Sequence, residues 1–181
     1  MKLPFERVLV AACGSSTAMG LPQAILAMRR ALGLEVRAVL TPSAATFVTP
    51  SALAVVTGHP ALSHEDSGVP HMELTEWAQL ILVMPATANT LAKAAQGMAD
   101  NLVLTCVLAS AGPVVFVPAM NLRMWQKKAV QRNVSQLRDD GYAVVPPAPG
   151  IALSSGTATG MSTPPIETVL EYAVSHLEAR T

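Results

Sequence analysis

Charged residues are scarce in this chain: 13% of its 181 residues are Asp, Glu, Lys or Arg, and 12 acids balance 12 bases. A neutral chain lacks the cationic footprint that holds nucleic acid or an anionic bilayer, so neither is an expected partner. Cysteine is rarer, with only Cys13 and Cys106, each inside an apolar stretch. A disulfide framework is therefore not expected, and the cytoplasm is the default compartment. None of the 4 histidines is spaced with a cysteine or carboxylate as metal ligands are, which argues against a metal site. No apolar run approaches the roughly 18 residues that a membrane span needs. Nothing in Met1–Glu6 reads as a signal peptide ahead of the first strand.

What the chain has in quantity is hydrophobicity, at 51%. That is enough for a well-buried core in a single domain, and two domains would be a squeeze. So little charge on a small protein leaves apolar surface, which favours burial in a homo-oligomer. The 9 methionines are mostly core filler. Arg7–Ala12 reads as a first strand, stopping at Gly14-Ser15-Ser16-Thr17 before a helix that runs to about Leu32 and ends at Gly33. Glu35–Leu40 reads as a second strand, after which Thr41-Pro42-Ser43 caps a helix holding Phe47 and Leu53. Residues 58–70 read as a loop and 72–78 as a short helical turn.

Strands are then expected at 80–84, 114–117 and 142–145, with helices over 87–98, 100–109 and 125–140. A last helix opens after Pro164-Pro165 and ends near Ala179. Pro146–Gly160 holds few large side chains and reads as a mobile flap over about residues 148–163 rather than packed structure. Strands alternating with helices give an α/β fold, a doubly wound Rossmann-like parallel sheet in one domain.

The two most apolar strands run into polar loops that each carry an asparagine: Pro85-Ala86-Thr87-Ala88-Asn89-Thr90 and Pro118-Ala119-Met120-Asn121-Leu122-Arg123-Met124-Trp125. In open α/β sheets the carboxyl ends of the strands form the ligand crevice. Amides placed there hold a polar ligand without adding charge. Either asparagine also serves as a plain helix cap. The small residues Gly14, Ser15, Ser16 and Thr17 let backbone N–H groups and hydroxyls reach a phosphate, although the same residues make an ordinary N-cap. Three-glycine dinucleotide and GK[ST] fingerprints are absent, so a mononucleotide cofactor fits better. Thr41 and Ser43 lie on the same rim. His71, after a loop and near the strand ends, suits a base working near neutral pH, although a lone histidine is more often structural or simply exposed. His59 and His64 read as solvated, His176 as surface, and Asp100-Asn101 as a cap or a subunit contact.

In order, Gly14-Ser15-Ser16-Thr17-Ala18, Thr41-Pro42-Ser43-Ala44-Ala45-Thr46-Phe47, His71-Met72-Glu73-Leu74, Pro85-Ala86-Thr87-Ala88-Asn89-Thr90, Asp100-Asn101-Leu102 and Pro118-Ala119-Met120-Asn121 with Met124-Trp125 span most of the chain. Together they resemble the flavin-dependent cysteine decarboxylases, which include phosphopantothenoylcysteine decarboxylase and the lantibiotic-peptide cysteine decarboxylases. The resemblance implies a flavodoxin-like flavoprotein fold and bound FMN. Its phosphate would lie in the Ser15-Ser16 loop, with Gly14, Thr17, Thr41, Ser43 and Phe47 around it, and its ring near Pro85, Ala86, Thr87, Ala88 and Asn89. It further implies His71 as the active histidine, Asn121 on the substrate carboxylate, and Met120, Met124, Ser154 and Ser155 as substrate contacts. Trimers with the flavin at the subunit interface, some assembled into dodecamers, are implied as well.

In that family the coenzyme A enzymes carry an Ala-Cys-Gly-Asp type motif in the flap, whose cysteine protonates the intermediate. Here the corresponding stretch reads Ala152-Leu153-Ser154-Ser155-Gly156-Thr157-Ala158-Thr159-Gly160-Met161, without cysteine. Serine is a far weaker acid than a thiol, so the chemistry is expected to stop at an enethiol. The C-terminus of a ribosomal precursor peptide is then the expected substrate. The lack of a fused synthetase domain is compatible with that. The alternatives are phosphopantothenoylcysteine decarboxylation with another proton donor, flavin prenyl transfer, and a non-catalytic flavoprotein regulatory subunit.

Overall fold

Val8, Val10 and Ala12 pack to one side of the first strand, and Leu9, Ala11 and the following Cys13 to the other, all of them buried. A strand apolar on both faces needs a layer of helices on each side, and the chain supplies both. The structure, a computed structural model, describes residues 3–63, 69–152 and 157–178, with 149–152 and 157–162 as strand backbone. In chain order the elements begin with β1 (Arg7–Ala12), α1 (Leu21–Leu32), β2 (Glu35–Leu40), α2 (Pro50–Thr57), α3 (Pro70–Trp77) and β3 (Leu80–Ala86). They continue with α4 (Ala88–Ala95), α5 (Leu102–Ala109), β4 (Val114–Pro118), α6 (Leu122–Trp125), α7 (Lys128–Asp139) and β5 (Ala143–Val144). The chain closes with β6 (Ala148–Ala152), β7 (Thr157–Ser162) and α8 (Ile166–Glu178).

The five-stranded sheet has the order β2-β1-β3-β4-β5, and every pairing in it is parallel. Helices α1, α2 and α8 cover one face through Ile25, Met28, Leu53, Val169 and Leu170. Helices α3, α4, α5 and α7 cover the other through Leu74, Leu91, Leu104, Val107, Val134 and Leu137. This is the doubly wound arrangement expected from the sequence. Burying a side chain of this size contributes about 1.5–3 kcal/mol each, which makes the two interfaces the main source of stability. The strand order reverses between β1 and β3, because the chain leaves β1 for the outer strand β2 and returns to β3. That switch point is where an open α/β sheet presents its crevice.

Several boundaries differ from the sequence reading. The first helix opens as a 3-10 turn, Ser16–Gly20, before α1, and Gly33 ends it at φ 68. The helix expected after Thr41 is broken into a 3-10 turn, Ala44–Thr46, and a separate α2 capped by Thr49. Pro50 cannot donate a backbone hydrogen bond but fits the first turn of a new helix, so the break falls just before it. The helix expected over 125–140 begins at Lys128 as α7, and the short α6 precedes it. The largest difference is in the flap, where β6 and β7 pair antiparallel, with Ala148 opposite Ser162 and Gly150 opposite Gly160. Small residues gave this segment no alternating apolar pattern, so its strand character was invisible to periodicity. Ser154, Ser155 and His64 lie outside the described residues. No helix among the described residues is long and apolar enough to cross a membrane.

Candidate functional site

The loops after β1, β2, β3 and β4 stand side by side along the carboxyl edge, tied to one another by their main chains. The Cys13 N–H donates to the Pro85 carbonyl at 3.1 Å, Thr41 N–H to Ala12 at 2.9 Å, and Ala119 N–H to Ala86 at 2.9 Å. Satisfying these groups within the protein fixes the spacing of the loops without help from side chains.

The β1 loop supplies hydroxyls. Ser15 caps the 3-10 turn that follows, its Oγ lying 3.1 Å from the Thr17 hydroxyl and 3.5 Å from the Thr17 N–H. Across from it, Thr41 Oγ1 lies 3.1 Å from Ser43 Oγ and accepts from Ala44 N–H at 3.2 Å. The two loops touch at Gly14, where an added Cβ would stand 2.5 Å from Ser43 Oγ and 2.7 Å from its Cβ. Only glycine permits that approach. Ser15, Ser16 and Thr17 are half-buried, and Thr41 is buried. Phe47, at the end of the Ala44–Thr46 turn, is exposed.

After β3, the Met84–Pro85 peptide is cis and Pro85 and Ala86 are buried. Thr87 caps α4, its side chain accepting from Thr90 N–H at 3.2 Å. Asn89 is therefore not the cap that a plain reading of its loop allows; it is exposed in the first turn of α4. Thr90 was missed in the sequence. It is 4% exposed, its hydroxyl lies 3.0 Å from that of Thr87, and it hydrogen-bonds Cys13, joining the β1 and β3 loops. The sequence signal available was a threonine three residues after another at a strand end, the spacing of a helix cap. Burial pushes the Cys13 thiol up to about 11 against the hydrogen bonds from Thr90 and Thr87, so it behaves as a core residue.

After β4, Asn121 caps α6, its side-chain oxygen accepting from the Met124 N–H at 2.9 Å. The amide NH2 lies on the far side of that cap, and Asn121 is exposed. Met120 is half-buried, whereas Leu122 and Met124 are exposed beside it. Strand β7 of the hairpin lies against α6. Residues just beyond the hairpin, Thr163, Pro164 and Ile166, line a cavity of about 90 Å3 with Thr17, Gly20, Leu21, Met84 and Pro85. The segment thus reaches from the Asn121 loop to the switch point.

His71 sits in the first turn of α3, half-buried. Helix α3 leads into the amino end of β3 and packs against α5 and β1. It is anchored where Glu73 accepts from Arg37 at 3.0 Å and the Arg37 guanidinium stacks 4.5 Å from the Trp77 ring centroid. Of the other histidines, His59 lies 3.5 Å from Glu35 and His176 Nε2 is 3.4 Å from the Gly141 carbonyl, so His176 is less exposed than its sequence suggests. Asp100 pairs with Lys93 while Asn101 caps α5 through Leu104 N–H at 3.2 Å, so the capping role expected of that pair is present. Among the described residues no group of His, Cys, Asp or Glu side chains is placed to hold a metal.

The sequence of the loops, 13–18, 41–48, 85–90 and 118–122, contains no Asp, Glu, Lys or Arg. What they offer is hydroxyls, backbone N–H groups and amides around a gap that glycine keeps open. That donor set fits a phosphate monoester held by neutral hydrogen bonds with a flat, partly apolar ring beside it, as FMN requires.

Comparison with known proteins gives the same direction. A family model described as Flavoprotein matches residues 2–178. Mersacidin decarboxylase from Bacillus sp. (strain HIL-Y85/54728) is 35% identical over 156 residues, covering 85% of this chain and 80% of that protein. The coenzyme A biosynthesis bifunctional protein CoaBC of Bacillus subtilis (strain 168) is 34% identical over 154 residues, 82% of this chain. The chain spans only 38% of that relative's length. The crystal structure of the FMN-dependent cysteine decarboxylase SpaF superposes with a TM-score of 0.81 at 37% identity, over 97% of both chains. A His-to-Asn variant of EpiD complexed with the substrate peptide DSYTC superposes with a TM-score of 0.84 at 28% identity, over 93% of this chain and 98% of that one.

Proposed function

The chain belongs to the flavoprotein family, among its flavin-dependent cysteine decarboxylases, and on that premise we propose that it oxidatively decarboxylates the C-terminal cysteine of a ribosomal precursor peptide to an aminoenethiol. Its cofactor is FMN. Bound in the crevice, FMN would accept the two electrons withdrawn from the thiol-bearing carbon, which makes loss of the neighbouring carboxylate feasible.

The chain's own residues do the rest. Ser15, Ser16, Thr17, Thr41 and Ser43 hold the phosphate, and residues 85–89 flank the ring. Asn121 donates its amide N–H groups to the substrate carboxylate. A neutral donor binds that group without over-stabilising a charge that must leave as carbon dioxide. His71 takes the proton from the thiol or from its carbon. Met120 and Met124 pack against the chain preceding the cysteine. The hairpin around 148–163, with Ser154 and Ser155, closes over the peptide end and excludes water.

The observation that carries the peptide over the coenzyme A precursor is the placement of cysteine. The flap contains none, and both cysteines of the chain, Cys13 and Cys106, are buried in the core. No thiol is available to protonate an enethiol, so the reaction ends there. The peptide DSYTC bound by EpiD, a relative of the same fold, ends in cysteine and supports the same choice.

The test is turnover in air on peptides ending in cysteine. A yellow protein giving a product lighter by carbon dioxide and two hydrogens is the expected result. His71→Asn should keep the colour and lose the product; full activity in that variant removes His71 from its role. Formation of 4′-phosphopantetheine from phosphopantothenoylcysteine would replace this reading with the coenzyme A one. A bound flavin with no turnover of either substrate would favour a regulatory subunit.

A further inference from the structure

The neutral total conceals an uneven distribution of charge. From residue 101 to residue 138 there is no Asp or Glu, and the bases in that stretch are Arg123, Lys127, Lys128, Arg132 and Arg138. Arg138 is used locally, donating to the Val144 carbonyl at 3.3 Å. The other four are exposed, and among the described residues none of them enters an ion pair.

Their position is costly for the fold. Lys127 stands at the N-cap position of α7 without a capping hydrogen bond and Lys128 is its first residue, with no acidic residue in the first turn. Cations at that end of a helix oppose its dipole, typically by about 0.3–1 kcal/mol each. Helix α7 turns Val134 and Leu137 into the core, which leaves Lys128 and Arg132, one turn apart, on the outward face. Side-chain charge and helix dipole therefore add at one spot. That spot is continuous with the candidate site, since Arg123 follows the carboxylate-binding Asn121 by two residues and α6 packs on α7.

We infer that Arg123, Lys127, Lys128 and Arg132 form a docking surface for acidic side chains of the peptide substrate, a few residues upstream of its terminal cysteine. This rests on the peptide reading above. Four cations distributed along α6 and α7 match a run of separate carboxylates better than one phosphate group. The surface raises the local concentration of an acidic peptide and fixes the direction in which it leaves the crevice.

The experiment compares three cysteine-ended peptides that differ only upstream, with Asp, Asn or Lys at the same positions, on the flavin-loaded protein. At low ionic strength kcat/KM for the Asp peptide should exceed that for the Asn peptide about tenfold, and the gap should close at high salt. Lys128→Glu/Arg132→Glu, both on the outward face, should reverse the order in favour of the Lys peptide. Equal kcat/KM for all three peptides in both proteins overturns the docking surface and leaves the decarboxylase intact. A charge preference confined to phosphopantothenoylcysteine over its dephospho form overturns it too, assigning the cations to a phosphate. Absence of turnover on every peptide overturns the peptide reading and this inference with it.

Discussion

Gly14 decides whether the loops after β1 and β2 can meet. A methyl group there would stand 2.5 Å from Ser43 Oγ, closer than unbonded atoms approach, so one loop must move. Gly14→Ala should lower the flavin-to-protein ratio, read from the visible spectrum, and Ser43→Gly in the same chain should restore part of it. Asn121 separates two duties in a different way. Its oxygen caps α6 and its NH2 is assigned to the substrate. Asn121→Asp keeps the oxygen for Met124 N–H but meets a carboxylate with a like charge, so stability should be retained while KM rises steeply. Asn121→Ala should lose the cap as well, at about 1 kcal/mol in denaturant titrations. A variant Asp protein with unchanged KM would take Asn121 off the carboxylate.

Among the elements, α5 has the best-defined start. Asn101 caps it, Asp100 pairs with Lys93, and the hydrogen bond from Lys93 is the main reason that the Asp100 carboxyl is held below its ordinary range. A depressed carboxylate stabilises the fold at pH above its unfolded value and ceases to do so as pH falls through the folded one. Lys93→Met should therefore melt slightly earlier than the unaltered protein at neutral pH, with the two Tm values converging in acid. The five strands of the main sheet and its class were legible in the sequence because short apolar runs such as Leu80–Val83 and Val114–Val117 alternate with helical segments and suit a doubly covered sheet. The positions of the loops followed from the strand ends. Less legible was what depends on pairs distant in sequence. The Gly14–Ser43 contact, the Thr90 link to Cys13 and the β6–β7 pairing leave no periodic mark. Thr49-Pro50 did carry a helix-start signal, but the smooth apolar pattern around Leu53 masked it.

For the whole molecule, the telling feature is the apolar side chains left outside. Met19, Phe47, Leu122 and Met124 are exposed in the segments that follow β1, β2 and β4, and Val55, Val69, Met72, Met98 and Leu108 are exposed elsewhere. Exposed apolar side chains in a neutral chain are compatible with the homo-oligomer that we propose from the family resemblance. Sedimentation should give a mass that is a multiple of the chain, with three copies as the basic unit. Phe47→Asp should shift it toward the single chain and release flavin together. A monomer that binds flavin fully would refute that arrangement.

The main-chain rungs from Cys13 to Pro85, from Thr41 to Ala12 and from Ala119 to Ala86 carry a consequence of their own. They pave the crevice with amides that exist whatever residues stand above them. Replacing one ornament leaves the pavement standing, so such a scaffold tolerates having its ligand preference rewritten one position at a time. Families of divergent appetite on a shared frame are what that construction permits.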